Sequence, residues 1–124
     1  MNVTTSTFTP VEFSEIYDDG DIYDAGVFTA PVNGVYQISA ALQYTSLASA
    51  SRVNIYLYKN GSYFFVNYGA FYYTTDEAIN RNISATVQLN AGDELDVRAY
   101  QTSGSDATVV ANYSYFSAHL IYQY

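Results

Sequence analysis

The chain has 124 residues, which suits one domain over residues 1–124 with a sizeable hydrophobic core. Hydrophobic residues make up 49% of it and charged residues 13%, a balance that excludes a disordered chain. The net charge of -8, from 12 acids and 4 bases, excludes the basic surface that nucleic acid or anionic lipid requires. The absence of Cys excludes disulfides and thiolate sites, and no apolar run is long enough for membrane insertion.

The first third of the chain predicts strands. Residues 6–17 and 22–32 read as two strands joined at an acidic turn. Val35 to Tyr44 then alternates strictly, with one set of side chains predicted on the inner face. That set is Tyr36, Ile38, Ala40 and Leu42.

The middle and the end of the chain continue this pattern. Residues 52–58 place Val53, Ile55 and Leu57 on one face, and Asn60-Gly61 predicts a type I′ hairpin turn before a strand over residues 62–73. A second tight reversal at residues 87–95 leads into an alternating strand. Residues 109–122 are predicted as one long last strand, with Phe116, Ala118, Leu120 and Tyr122 on the same side.

No window has helical periodicity. Eight to ten short strands in 124 residues predict an all-β sandwich or barrel.

Two oxygen-rich stretches are candidates for a cation. Asp18, Asp19, Asp21 and Asp24 surround Gly20, but they do not follow the EF-hand pattern, so a solvated turn is the main interpretation. Calcium takes six to eight oxygen ligands. The second stretch, at residues 74–80, therefore provides candidate calcium ligands: Asp76, Glu77 and Asn80.

Catalytic chemistry finds little support in the sequence. A hydrolase triad needs a histidine to relay the proton, and His119, the single His, lies inside a predicted strand. Most acids lie near turns rather than in a predicted cleft, which disfavours two-carboxylate glycoside hydrolysis. We therefore expect no catalytic residues and no enzyme.

The excess of tyrosine predicts an oligomer. The chain has 15 Tyr, and an exposed Tyr can stack on a sugar or anchor a protein partner. The alternative is that alternate tyrosines fill the core and a seam between subunits. Seven of them form a set too large for scattered exposure on a soluble monomer: Tyr56, Tyr58, Tyr68, Tyr72, Tyr73, Tyr113 and Tyr115.

Four stretches in order resemble the complement C1q globular-head family, a branch of the tumour-necrosis-factor-like jelly rolls. "YDAGVFTAPVNGVYQISAAL" (residues 23–42) resembles its most characteristic segment, and "LYKNG" (57–61) resembles its central hairpin. "VQLNAGDELDVRA" (87–99) resembles its Leu-x-x-Gly-Asp turn, and "YFSAHLI" (115–121) resembles its closing strand, with Ala118 in place of the usual Gly.

The resemblance implies a ten-stranded antiparallel jelly-roll sandwich that forms a tight homotrimer and has no enzymatic activity. Vertebrate members often place calcium-binding aspartates before the last third of the chain, where this sequence offers Asp76 and Glu77. Three functions follow as hypotheses. The first is a recognition and trimerisation head on a fibrous extracellular, bacterial-surface or phage tail-fibre protein, which binds a surface glycan or protein. The second is a purely structural trimer cap that registers a stalk, and the third is a glycan hydrolase. The expected location is extracellular, at a cell surface or on a virion.

Overall fold

The computed structural model describes residues 1–13, 22–47, 51–71 and 78–124. Within these ranges the chain forms strands and one 3-10 turn, Ala111–Tyr113. No helix in the described part is long and apolar enough to cross a bilayer. The strands are β1 (Asn2–Val3), β2 (Thr9–Val11), β3 (Tyr23–Asp24), β4 (Val27–Thr29), β5 (Gly34–Thr45), β6 (Ser51–Lys59), β7 (Ser62–Phe71), β8 (Ile79–Leu89), β9 (Glu94–Gln101), β10 (Ala107–Val109) and β11 (Tyr115–Gln123).

Two antiparallel sheets form the sandwich. In the first sheet, β5 pairs along one side with β8 and along the other with β11 and then β10, which in turn pairs with β1. In the second sheet the order is β3-β4-β9-β6-β7, and β2 also pairs with β9. The predicted all-β antiparallel sandwich is confirmed, although the structure divides it into eleven strands rather than ten.

The core lies between the inner faces of the two sheets, as the period-2 pattern predicts. Every second residue of β5, from Gly34 to Tyr44, is buried, and the inward residues of β6 and β9 are buried against them. Tyr44 also links the sheets through its hydroxyl, which donates to Asn54 O and accepts from Tyr100 N. The predicted inner faces are therefore confirmed.

Two turns meet at one end of the sandwich. Asn60 and Gly61 have φ of 52° and 78°, which confirms the predicted type I′ turn. Asp93, from the turn before β9, accepts hydrogen bonds from Asn90 N at 2.8 Å and from Asn60 Nδ2 at 3.1 Å. Asn60 Oδ1 accepts from Glu94 N, so the β6–β7 turn and the β8–β9 turn hold each other in place.

The N-terminal strand predictions are only partly right. Of the strand predicted over residues 6–17, the described part contains β2 alone, because Ser6 turns the chain with a φ of 56°. Residues 14–17 lie outside the described residues. The strand predicted over residues 22–32 is a hairpin instead, because Ala25 and Gly26 both have positive φ and separate β3 from β4.

The single strand predicted over residues 109–122 is wrong. β10 ends at Val109, and β11 begins at Tyr115 after the 3-10 turn. Between them the Ser114 hydroxyl donates to Val110 O and accepts from Gln43 N. This side chain thus replaces backbone hydrogen bonds that a continuous strand would make to β5.

Strand β8 is absent from the sequence predictions because its inward positions are not all apolar. Arg81 occupies one of them, between Ile79 and Ile83. Its Nε donates a hydrogen bond to Val53 O of β6 at 2.9 Å, so this N–H group has a partner in the other sheet. A charged residue at an inward position conceals the period-2 signal.

β11 lies close to β5 at Gly34. A Cβ at this residue would lie 2.5 Å from both Leu120 Cδ1 and Tyr122 O. The β11 register shifts between Leu120 and Tyr122, where Leu120 pairs with Tyr36 and Tyr122 pairs with Val35. Because Val35 belongs to the outer set of β5, Tyr122 turns outward, and its predicted place beside Phe116 is wrong.

We expect Gly34→Ala to lower the free energy of unfolding by about 1–3 kcal/mol, because the new methyl group would displace the β11 backbone. Urea denaturation measures this change. Gly61→Asn is the matched control, since the space around Gly61 is open and Asn tolerates a positive φ. Equal stability of Gly34→Ala and wild type would contradict the close approach.

A second prediction concerns pH. The Asn90 N–H and, to a smaller extent, the Asn60 amide hold the pKa of Asp93 below its ordinary value of 3.8. The ionised carboxylate therefore stabilises the fold fully above that ordinary value, and the contribution is lost as the pH falls through the lowered pKa.

Asp93→Asn should accordingly lower the free energy of unfolding by about 1 kcal/mol at neutral pH. The difference from wild type should shrink toward zero in strong acid, as measured by urea denaturation over a pH series. Lys59→Met removes only a contact of 3.9 Å and should retain most of the pH effect. A difference that stays constant with pH would refute this role for Asp93.

Candidate functional site

The predicted cation ligands are only partly within the described structure. Asp76 and Glu77 lie outside the described residues, as do Asp18, Asp19 and Asp21. Asn80 is exposed near the start of β8, and its carbonyl accepts from Arg81 Nη1 at 3.1 Å. Among the residues that are described, no group of three or more His, Asp or Glu side chains could hold a metal. Calcium binding by Asp76, Glu77 and Asn80 therefore stays a prediction.

Two other residues from the sequence analysis have clear positions. Asp24 is exposed at the end of β3, next to the positive-φ residues of the hairpin turn, which agrees with its expected place at a turn. His119 is exposed on β11 opposite Gln37 of β5.

The predicted tyrosine seam divides between the two sheets. Tyr113 lies on the 3-10 turn and Tyr115 begins β11 in the first sheet, whereas Tyr56 and Tyr58 lie on the outer face of the second. Tyr72 and Tyr73 are outside the described residues, and the side chain of Tyr68 is not described either. The described tyrosines of this set thus lie on both sheets, and a seam between subunits stays a prediction.

The first surface is the β11 face. Here β11 and the residue after it expose several large apolar side chains, among them Ile121 at 54% and Tyr122 at 62% exposure. Neither β5 nor β11 contains a Lys, Arg, Asp or Glu. The exposed apolar residues that define this face are Tyr115, Ile121, Tyr122 and Tyr124; Leu120, which pairs with the inward Tyr36, is partly exposed at the same end of the sandwich.

The second surface is an aromatic platform on the outer face of the other sheet. Its rings are Phe8, Tyr56, Tyr58, Tyr63 and Tyr100. Strand pairing brings them together, because β9 lies between β2 and β6, and β6 pairs with β7. Phe8 and Tyr63 are the most exposed of the five, at 43% and 56%.

Polar groups support the platform. The Arg98 guanidinium lies 4.0 Å from the centre of the Tyr58 ring, and its Nε donates to Asp96 at 2.8 Å. Asn54, buried beside the platform, donates from Nδ2 to the Tyr56 hydroxyl at 3.0 Å. Its Oδ1 is buried and makes no hydrogen bond within the described structure.

Tyr44 holds the platform strands from the inside, since its hydroxyl binds the backbone of Asn54 and Tyr100. Burial raises the pKa of this phenol far above its ordinary value of 10.0, so Tyr44 remains a neutral donor.

Sequence reasoning found Tyr56 and Tyr58 but missed the platform as a unit. Phe8 precedes β2, whereas Tyr63 lies on β7 and Tyr100 on β9, and no local pattern joins them. The only signal in the sequence is the outward position of Tyr56 and Tyr58 on β6.

Comparisons with known proteins agree with this architecture. The globular domain of zebrafish complement 1qA protein superposes with a TM-score of 0.69 at 17% identity, over 100% of this chain and 93% of that chain. Eiger TNF from S. frugiperda superposes with a TM-score of 0.67 at 14% identity, over 100% of this chain and 84% of that one. At these identities the two structures show the shared fold, which confirms the predicted jelly roll.

Membership of a family rests on the sequence itself. No curated protein matches the chain. The model of the C1q domain, however, matches residues 1–121, nearly the whole chain. The protein therefore belongs to the C1q domain family.

Proposed function

We propose that the protein is the trimeric recognition head of a fibrous extracellular protein, on a bacterial surface or a phage tail fibre, and that it binds a surface glycan or protein. C1q domains are generally non-enzymatic binding modules, are typically extracellular and typically form homotrimers. The low Lys content and the many Asn, Ser, Thr and Tyr residues favour the bacterial or phage setting.

The main observation in support of a trimer is the exposure of apolar side chains on the β11 face. Tyr115 is exposed at the start of β11, and Ile121, Tyr122 and Tyr124 are exposed together at its end, where clustered apolar groups mark an interaction site. Across β5, Val35 lies opposite Tyr122 and Ala41 opposite Tyr115, with the uncharged Ser39 and Gln37 between them. Removing this apolar surface from water lowers the free energy of the system, which favours association through it.

The distribution of charge favours further copies of this chain as the molecules that cover the β11 face. The chain carries a net charge of -8, so like copies repel each other over most of their surface. The β11 face is an exception, because β5 and β11 have no charged residue and the last one in the chain is Asp106. Copies can approach through this face with little repulsion. A heterologous contact of this kind closes into a ring when the rotation between copies permits it.

The recognition role is supported by the aromatic platform. It lies on the sheet opposite the β11 face, so self-association through β11 leaves it free. A purely structural cap would need the β11 face alone, and nothing in its role would require five clustered rings on the other side.

The trimer is tested by mass. Light scattering or native mass spectrometry at micromolar concentration should give three times the chain mass of 13.8 kDa. Tyr122→Asp should dissociate the assembly, because it would bury an unpaired carboxylate at each contact between copies. Tyr63→Asp is the matched control: this tyrosine is similarly exposed on the opposite sheet, and its change should leave the trimer intact.

A monomeric wild-type protein at micromolar concentration would contradict the trimer proposal. Dissociation by Tyr63→Asp but not by Tyr122→Asp would place the contact on the wrong sheet.

A further inference from the structure

We propose that the aromatic platform binds a neutral saccharide, with Tyr63 as the main stacking ring. This inference rests on the recognition part of the proposed function and gives that part a location and a ligand class. It does not depend on the number of copies in the assembly.

The rings form one continuous surface centred on Tyr56. The centre of its ring lies 5.0 Å from that of Phe8, 5.7 Å from Tyr63 and 6.3 Å from both Tyr58 and Tyr100. Phe8 in turn stacks on Tyr100 at 4.5 Å. Most of these contacts are edge-to-face, so neighbouring rings present planes in different orientations together with phenol hydroxyls. A pyranose ring fits such a surface, because its C–H groups pack on an aromatic plane while its hydroxyls bind the phenols.

The platform is held in place before any ligand arrives. β2, which follows Phe8, pairs with β9, and the segment before Phe8 is fixed where Ser6 N donates to Gln101 O at 2.7 Å. Gly104 N donates to the Thr5 hydroxyl at 3.0 Å. Fixed rings lose little conformational entropy on binding, which favours affinity for a small ligand.

The local charges point to a neutral ligand. Arg98 is the cation that contacts the rings, and its Nε already binds Asp96. Among the described residues, the cation at the platform is thus already paired with a carboxylate, which disfavours a carboxylate or sulfate ligand. The net charge of -8 adds a repulsion toward acidic glycans, and this repulsion is strongest at low ionic strength.

The size of the patch distinguishes a saccharide from a folded protein partner. A stable protein interface uses about 20–30 residues on each side, with its energy concentrated in fully desolvated pockets. Here five rings form a shallow surface in which three are already half-buried against their neighbours. That surface matches a few sugar units laid along the sheet.

The test is a titration of the full chain with defined oligosaccharides, followed by amide NMR shifts and by calorimetry. The panel contains neutral oligomers of glucose, galactose, mannose and N-acetylhexosamines, together with sialylated, uronic-acid and sulfated counterparts. We expect one or more neutral oligomers to bind and to shift the amides of Tyr63 and Tyr56 first. The mass of every sample is measured in parallel, so that loss of the trimer is recognised separately from loss of saccharide binding.

Tyr63→Ala should weaken that binding about tenfold, whereas Tyr63→Phe, which keeps the ring, should retain most of it. Tyr113→Ala is the matched control, because Tyr113 is 67% exposed and lies on the 3-10 turn of the other sheet. The affinity of Tyr113→Ala for the saccharide should equal that of the wild-type protein.

Three results would overturn the inference. The first is that no saccharide of the panel binds at millimolar concentration while the mass remains that of a trimer, which leaves the proposed head standing without this ligand. The second is tighter binding of the acidic members than of the neutral ones. The third is an equal loss of affinity in Tyr63→Ala and Tyr113→Ala.

Discussion

The close packing of β5 against β11 at Gly34 is the constraint on which the surfaces of this domain depend. A side chain at Gly34 would meet Tyr122 O at 2.5 Å, so the register shift in β11 requires a glycine opposite it. The shift turns Tyr122 outward and leaves it exposed next to Ile121. Because β5 and β11 have no Lys, Arg, Asp or Glu in a chain of net charge -8, the same pairing leaves the exposed Tyr122 on a face without these charges. A single backbone contact thus shapes the surface that we propose for self-association.

The second sheet uses aromatic residues differently. On the β11 face the apolar side chains are exposed to water, whereas the platform rings already pack on one another and on Arg98, which is paired with Asp96. The first arrangement gains most from full burial, as in an interface between copies. The second is suited to a small ligand that adds to an existing surface. The two faces lie on opposite sheets, so one chain can assemble through β11 and bind through the platform at the same time.

The sequence predicts the parts of the fold in which every inward position is apolar. β5 meets this condition over residues 36–42, β6 over residues 53–57 and β9 over residues 95–99, short of the buried Gln101, and these inner faces are confirmed. β8 does not, because Arg81 occupies an inward position and makes its bond to the backbone of β6. The break before β11 depends on Ser114, which has no periodic signal. The platform could not be predicted because it depends on the register of β9 with both β2 and β6. A local sequence pattern does not specify such long-range strand pairing.

The central claim is that one aromatic surface is buried by copies of the chain and the other remains open. Hydroxyl-radical footprinting of the tyrosines in the assembled protein tests it in one experiment, because oxidation rates follow the exposure of each side chain. Tyr122 and Tyr63 are similarly exposed in the single chain, at 62% and 56%. In the native assembly at micromolar concentration, Tyr122 should be strongly protected and Tyr63 should react freely. Equal oxidation of the two, or protection of Tyr63 alone, would contradict the account.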